Sequence, residues 1–179
     1  SRLSSEDIEL TCKLDAAVYP TDSPVGPERM TSWHQFCPDF SRRYHNDQLL
    51  GLSVCIPLNR VGWERLCSGT ISESDVQNDD LFRPGVDVEL GVHIYHIEKM
   101  TGSTVKGNFV ERVLRDLGNA FEELRRSYPS TKLMGFSALA TSKAGIDLFS
   151  NRLNFRERDY LCPECVFTST STTGSAGSA

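Results

Sequence analysis

Several things are scarce in this chain of 179 residues. No apolar run approaches the roughly 20 residues that a membrane-spanning helix needs. There is no basic excess either. Lys and Arg number 19 against 24 Asp and Glu, a net charge of −5. That balance argues against nucleic-acid binding and for a basic protein tail or polyamine-like partner. A second cysteine pair is also missing. The six Cys stand at positions 12, 37, 55, 67, 162 and 165, and only Cys162-Pro-Glu-Cys165 has metal-ligand spacing. A four-ligand zinc site needs two such pairs, so no metal is expected. The pair reads as two thiols on a terminal strand or turn, or as a half-site completed by another chain. The scattered cysteines read as reduced thiols in an intracellular, reducing compartment, cytoplasmic or nuclear. No signal peptide and no internal repeat are visible. The first residue is Ser1 rather than Met, as expected of a fragment or processed form.

What is present is ordinary for a globular domain: 39% hydrophobic and 24% charged residues. The length suffices for one domain with a real core. Residues 168–179 are only Thr, Ser, Gly and Ala. The expected organisation is therefore a domain over 1–167 and a disordered tail or linker over 168–179. Acidic Glu6 and Asp7 precede Ile8, Leu10, Leu14 and Ala17, the pattern of a first helix ended by Pro20. Met30, Trp33 and Phe36 mark a short second helix. The run over 49–58 is nearly all apolar and predicts a central strand, followed by a helical turn or two over 61–66. A polar, acidic loop follows over 69–84.

The most informative stretch comes next. A strand pattern over 88–99 leads into the polar turn Thr101-Gly102-Ser103-Thr104-Val105-Lys106-Gly107-Asn108. Val110, Val113, Leu114, Leu117, Phe121 and Leu124 then recur at helical spacing. Strand, turn and helix N-terminus together offer bare backbone N–H groups to a phosphate. A strand over 133–139, a helix over 143–153 and a last strand from Phe155 to Tyr160 complete the order. The class is α/β with a mixed sheet.

In this order, and in particular motifs, the chain resembles the GNAT acetyltransferase superfamily. Cys55-Ile56-Pro57-Leu58, the Trp63 helix with Ser68-Gly69, the strand–turn–helix over 92–124, and Arg152-Leu153-Asn154-Phe155 carry the resemblance. The family's phosphate loop, Gln/Arg-x-x-Gly-x-Gly/Ala, is matched here by Thr104-Val105-Lys106-Gly107-Asn108-Phe109, in which Gly107 alone is kept. Where the family often has a Tyr near the departing thiolate, this chain reads Leu148-Phe149-Ser150-Asn151. The resemblance implies a single domain with a mixed, mostly antiparallel sheet, splayed central strands and flanking helices. It implies acetyl-CoA as the acyl donor and an amine as the acceptor. A lysine of a basic protein tail such as a histone, a polyamine or an amino sugar would each serve. The alternatives are a GNAT-fold interaction module within a chromatin- or kinetochore-type assembly, with weak or no catalysis, and an acyl-CoA sensor without turnover.

The resemblance also implies roles for residues. Ile97, Glu98, Lys99, Lys106, Gly107, Asn108, Phe109 and Ser142 would meet the cofactor. His93 falls where some members carry a general base, and imidazole has a suitable ordinary pKa of about 6.5. Glu89 shares its strand parity and is a rival, as is Glu98. Ser150 would stand near the thiol. Each has a plainer reading. His93 is one side chain of a half-buried strand, alternating with His96 on the other face. Ser142 is a helix cap and Ser150 helix surface. Asp75, Asp79 and Asp80 would either attract a Lys-rich peptide or form a solvated loop.

Overall fold

The computed structural model describes residues 1–18, 24–100, 102, 108–140, 143–153, 156–158 and 165–170. Six strands form one sheet: β1 (Arg42–His45), β2 (Leu49–Asn59), β3 (Glu89–Lys99), β4 (Lys132–Ala140), β5 (Arg156–Arg158) and β6 (Cys165–Thr170), in the order β1-β2-β3-β4-β6-β5. All pairings are antiparallel except β3 with β4. The helices are α1 (Ser5–Val18), α2 (Pro27–Trp33), α3 (Arg60–Cys67), α4 (Phe109–Ser127) and α5 (Lys143–Asp147). The mixed α/β sheet expected from the order is present, mostly antiparallel as the resemblance implies.

The sheet is covered on both faces, which explains why β2 reads as a continuous apolar run. On one face Cys55, Leu90, Val92 and Ile94 pack against Phe109, Val113, Leu117 and Ala120 of α4. On the other, Val54, Ile56 and Leu58 pack against Ile8 of α1, Met30 and Trp33 of α2, and Trp63 and Leu66 of α3. Each aliphatic side chain so buried contributes about 1.5–3 kcal/mol. Asn59 ends β2 and caps α3 at once, its side chain accepting from the Gly62 N–H at 2.9 Å. Strand and helix therefore join without a loop.

Three elements differ from the sequence expectation. β1 was not foreseen, because Arg-Arg-Tyr-His carries little apolar signal; Tyr44 alone is buried. The helix expected over 143–153 is α5 followed by a π-helical turn, Leu148–Arg152, in which the Leu153 N–H donates to the Leu148 carbonyl at 3.0 Å. Of the final strand expected over 155–160, Arg156–Arg158 is described, as β5, and the rest lies outside the described residues. β6 pairs with β4 through Thr168, Ser169 and Thr170, so the strand runs into the segment assigned to the tail. β-branched Thr suits a strand, and composition alone hid it. Residues 171–179 lie outside the described residues.

Candidate active site

The central strands part. β3 and β4 pair from Glu89↔Lys132 to Ile94↔Ala138, with a register shift between Leu90 and Gly91, and beyond Ile94 β3 runs on to Lys99 without a β4 partner among the described residues. The Met100 N–H donates to the Leu50 carbonyl at 3.0 Å. Antiparallel alternation then directs the backbone groups of Glu98 toward β2 and those of Ile97 and Lys99 toward the gap. The result is a short open strand edge facing the cleft between β3 and β4.

A bulge sits at the same place. Val54 opposes His96 and Cys55 opposes Ile94, so Tyr95 is the extra residue. A bulge turns two successive side chains toward one side. Tyr95 and His96 accordingly both reach Asp15 of α1. The Tyr95 hydroxyl donates to Asp15 Oδ2 at 2.5 Å, and His96 Nδ1 lies 3.8 Å from Asp15 Oδ1. The strict alternation that put His96 on the face opposite His93 fails here for that reason. Burial, followed by the Asp15 hydrogen bond, raises the Tyr95 pKa well above the usual phenol range. Burial also lowers that of His96, against the pull of Asp15, Glu98 and Glu73.

His93 is one pair short of the parting, opposite Ser137 of β4. It is 1% exposed. Its Nδ1 is 2.9 Å from Ser137 Oγ and its Nε2 is 2.6 Å from Glu73 Oε1. Glu73 opens a 3₁₀ turn, Glu73–Asp75, which Ser72 and Asp75 hold by a reciprocal capping box. A carboxylate from the loop after α3 is thus tied to an imidazole and a hydroxyl at the apex of the cleft.

Comparison with solved structures bears on the fold that holds this cleft. Arabidopsis thaliana Naa50 in complex with the bisubstrate analogue CoA-Ac-MVNAL matches with a TM-score of 0.55 at 12% identity over 96% of both chains. Arabidopsis thaliana NAA60 in complex with acetyl-CoA matches with a TM-score of 0.52 at 15% identity, over 96% of this chain and 98% of that one. The chain has the GNAT acetyltransferase fold. No family model matches the sequence, and no curated protein matches it at a significant level.

Within the GNAT fold the expected cofactor residues separate into groups. Ile97, Glu98 and Lys99 lie on the β3 segment that has left β4. Lys106, Gly107 and Ser142 lie outside the described residues. Asn108 caps α4, its side chain accepting from the Val110 N–H at 3.1 Å and donating to Glu111 at 3.0 Å. Phe109 is a core residue. Its ring meets Tyr44 edge-on at 5.0 Å and fills the space over Gly51. Only its backbone would be offered to a ligand.

The expected catalytic residues are scattered. Glu89 shares a face with His93, as its parity implied, but sits about 13 Å away along the strand, where Arg60 engages it. Ser150 lies half-buried in the π-helical turn. The acidic loop does not present three solvated carboxylates. Asp80 is buried, paired with Arg65 at 2.7 Å and accepting from the Gln77 N–H at 2.9 Å. Asp75 caps its own turn, and Asp79 pairs with Arg83. Burial raises the pKa values of the Cys12, Cys37 and Cys55 thiols, that of Cys37 to about 12, so these are not poised as thiolate nucleophiles. Among the described residues no cluster of His, Cys, Asp or Glu could hold a metal, and no helix is long and apolar enough to cross a membrane. Cys162 lies outside them.

Sequence reading missed Glu73, Asp15 and Ser137. Ser72-x-x-Asp75 signals a capped turn, but nothing local says that this turn folds back over β3. Asp15 looks like one more polar position on an amphipathic helix until the bulge turns Tyr95 toward it.

Proposed function

We propose that this protein is an acetyl-CoA-dependent N-acetyltransferase acting on an amine of a protein or peptide. The parting of β3 from β4 after Ile94 and Ala138 carries the reading. It leaves backbone N–H and C=O groups of Ile97 and Lys99 directed into the cleft, where the amide-bearing pantetheine arm of CoA would pair with them in the manner of a strand. The same N–H groups are suitably oriented donors for the thioester oxygen, which gains charge as the amine attacks. Lys106, Gly107 and the start of α4 would take the pyrophosphate. The peptide acceptor is supported by the Naa50 neighbour, whose bound analogue joins CoA to a peptide. The net charge of −5 favours a basic one, with a lysine side chain or an N-terminal amine as nucleophile.

The rival, an interaction module without catalysis, gives no reason for a hydroxyl–imidazole–carboxylate chain that runs from the core to a part-exposed Glu73 at the apex of the cleft. Acetyl-CoA at millimolar concentration is expected to raise the melting temperature by several degrees, as a ligand well above its Kd does. Transfer to at least one member of a panel of basic peptides is expected in a mass-spectrometric assay. No thermal shift would remove both the enzyme reading and the sensor reading.

A further inference from the structure

Resting on the acetyltransferase reading, we infer that Glu73 is the base that takes the acceptor's proton and that His93 is its positioning residue. His93 lies one pair before the strands part, but its ring is 1% exposed and both nitrogens are engaged. A carboxylate oxygen accepts, so Nε2 donates the hydrogen of the 2.6 Å contact to Glu73. Nδ1 is taken up by the Ser137 hydroxyl at 2.9 Å. Neither nitrogen has a lone pair left for an incoming amine.

Glu73 differs in each respect. Its side chain is 19% exposed. Oε1 accepts from His93, and Oε2 makes no hydrogen bond among the described residues. The capping box fixes its backbone, and His93, itself tied to Ser137, fixes its carboxylate. That carboxylate sits over the pair preceding Ile94↔Ala138, the last before the strands part, so it overlooks the point where a thioester entering the cleft would end. No sequence signal marks it as part of the site.

The step balances without a further reactant. The ammonium form of the acceptor gives one proton to Glu73. The free amine's electron pair attacks the thioester carbonyl, a C–N bond forms and the C–S bond breaks. The thiolate leaves with the C–S bonding pair and takes the second amine proton, giving the amide and CoA thiol. Glu73 returns its proton to water through its exposed edge.

The test compares kcat against pH for the wild type, Glu73→Gln and Glu73→Asp, with acetyl-CoA thermal shift measured in parallel. Glutamine still accepts from His93 Nε2–H but takes no proton at neutral pH. Glu73→Gln is therefore expected to keep its melt and its acetyl-CoA shift while kcat falls on the order of 10²–10⁴-fold, with the acidic limb of the profile gone. Glu73→Asp is expected to keep the limb at a reduced kcat. Glu73→Gln within threefold of wild type, with its limb intact, overturns the inference and leaves the acetyltransferase reading standing. Should Glu73→Gln fail to fold, an Asp variant with undiminished kcat overturns it as well. A wild type that neither binds acetyl-CoA nor transfers overturns the reading itself, and the inference with it.

Discussion

Gly91→Ala is expected to lower stability by about 3 kcal/mol, at the upper end of typical overpacking costs. For a chain of this size that is a fall of roughly 6–12 °C in melting temperature. A Cβ on Gly91 would lie 2.1 Å from Cγ and 2.2 Å from Cδ1 of Trp63, well inside any tolerated contact. Neither partner can give way cheaply. Gly91 is mid-strand in β3, paired with Leu58 on one side and Gly135 on the other. Trp63 is on α3, which follows β2 with Asn59 as the shared hinge and cap. Moving the indole means moving α3, and the Glu73 turn follows α3. Trp63→Ala alone is expected to cost about 3–5 kcal/mol through the cavity it leaves. Because both changes act on one contact, the double variant should be well short of additive. Urea midpoints of the four proteins measure this coupling. A Gly91→Ala protein melting within 2 °C of wild type would remove the close contact from the account.

That contact also shows what the sequence could and could not tell. The apolar run of β2, the strand pattern of β3 and the spacing of Val113, Leu117 and Ala120 in α4 are one-dimensional signals of burial. They led to the correct class and to the resemblance. Splayed central strands were implied by the resemblance, and the open edge at Ile97 and Lys99 lies where they part. What stayed hidden depends on pairs far apart in the chain. A bulge is a mismatch between two strands, so β3 read alone gives strict alternation and sends His96 to the wrong side. Glu73 is one acidic residue in an acidic loop until that loop folds over His93, 20 residues on. Asp80 looks like its neighbours but is the buried one, because Arg65 and the Gln77 N–H compensate its charge.

Stability is expected to fall as the pH drops from about 6.5 to about 4, with His34 as a leading cause. His34 closes the C-terminal end of α2, and its Nε2 is 2.7 Å from Ser41 Oγ. The Ser41 hydroxyl donates to the Cys55 carbonyl and accepts from the Cys55 N–H, so it receives the Nε2 proton of a neutral imidazole. A second ring proton would charge a group held out of water. Burial lowers its pKa from 6.5 to about 4, outweighing the help of the Met30 carbonyl. The unfolded chain therefore takes up a proton that the folded chain refuses, and stability is lost as pH falls. The loss begins near the unfolded value, is complete below about 4 and amounts to about 3 kcal/mol. His96 acts with the same sign. In His34→Gln the side-chain amide still donates to Ser41 but does not titrate, so its melting temperature should decline less over this range. An equal decline in both proteins would remove His34 as the cause. The distinction matters for catalysis, because acid unfolding through His34 and loss of a carboxylate base at Glu73 both depress turnover on the acidic side. In the His34→Gln background the first contribution is removed, and an acidic limb that persists there and vanishes on adding Glu73→Gln belongs to the active site.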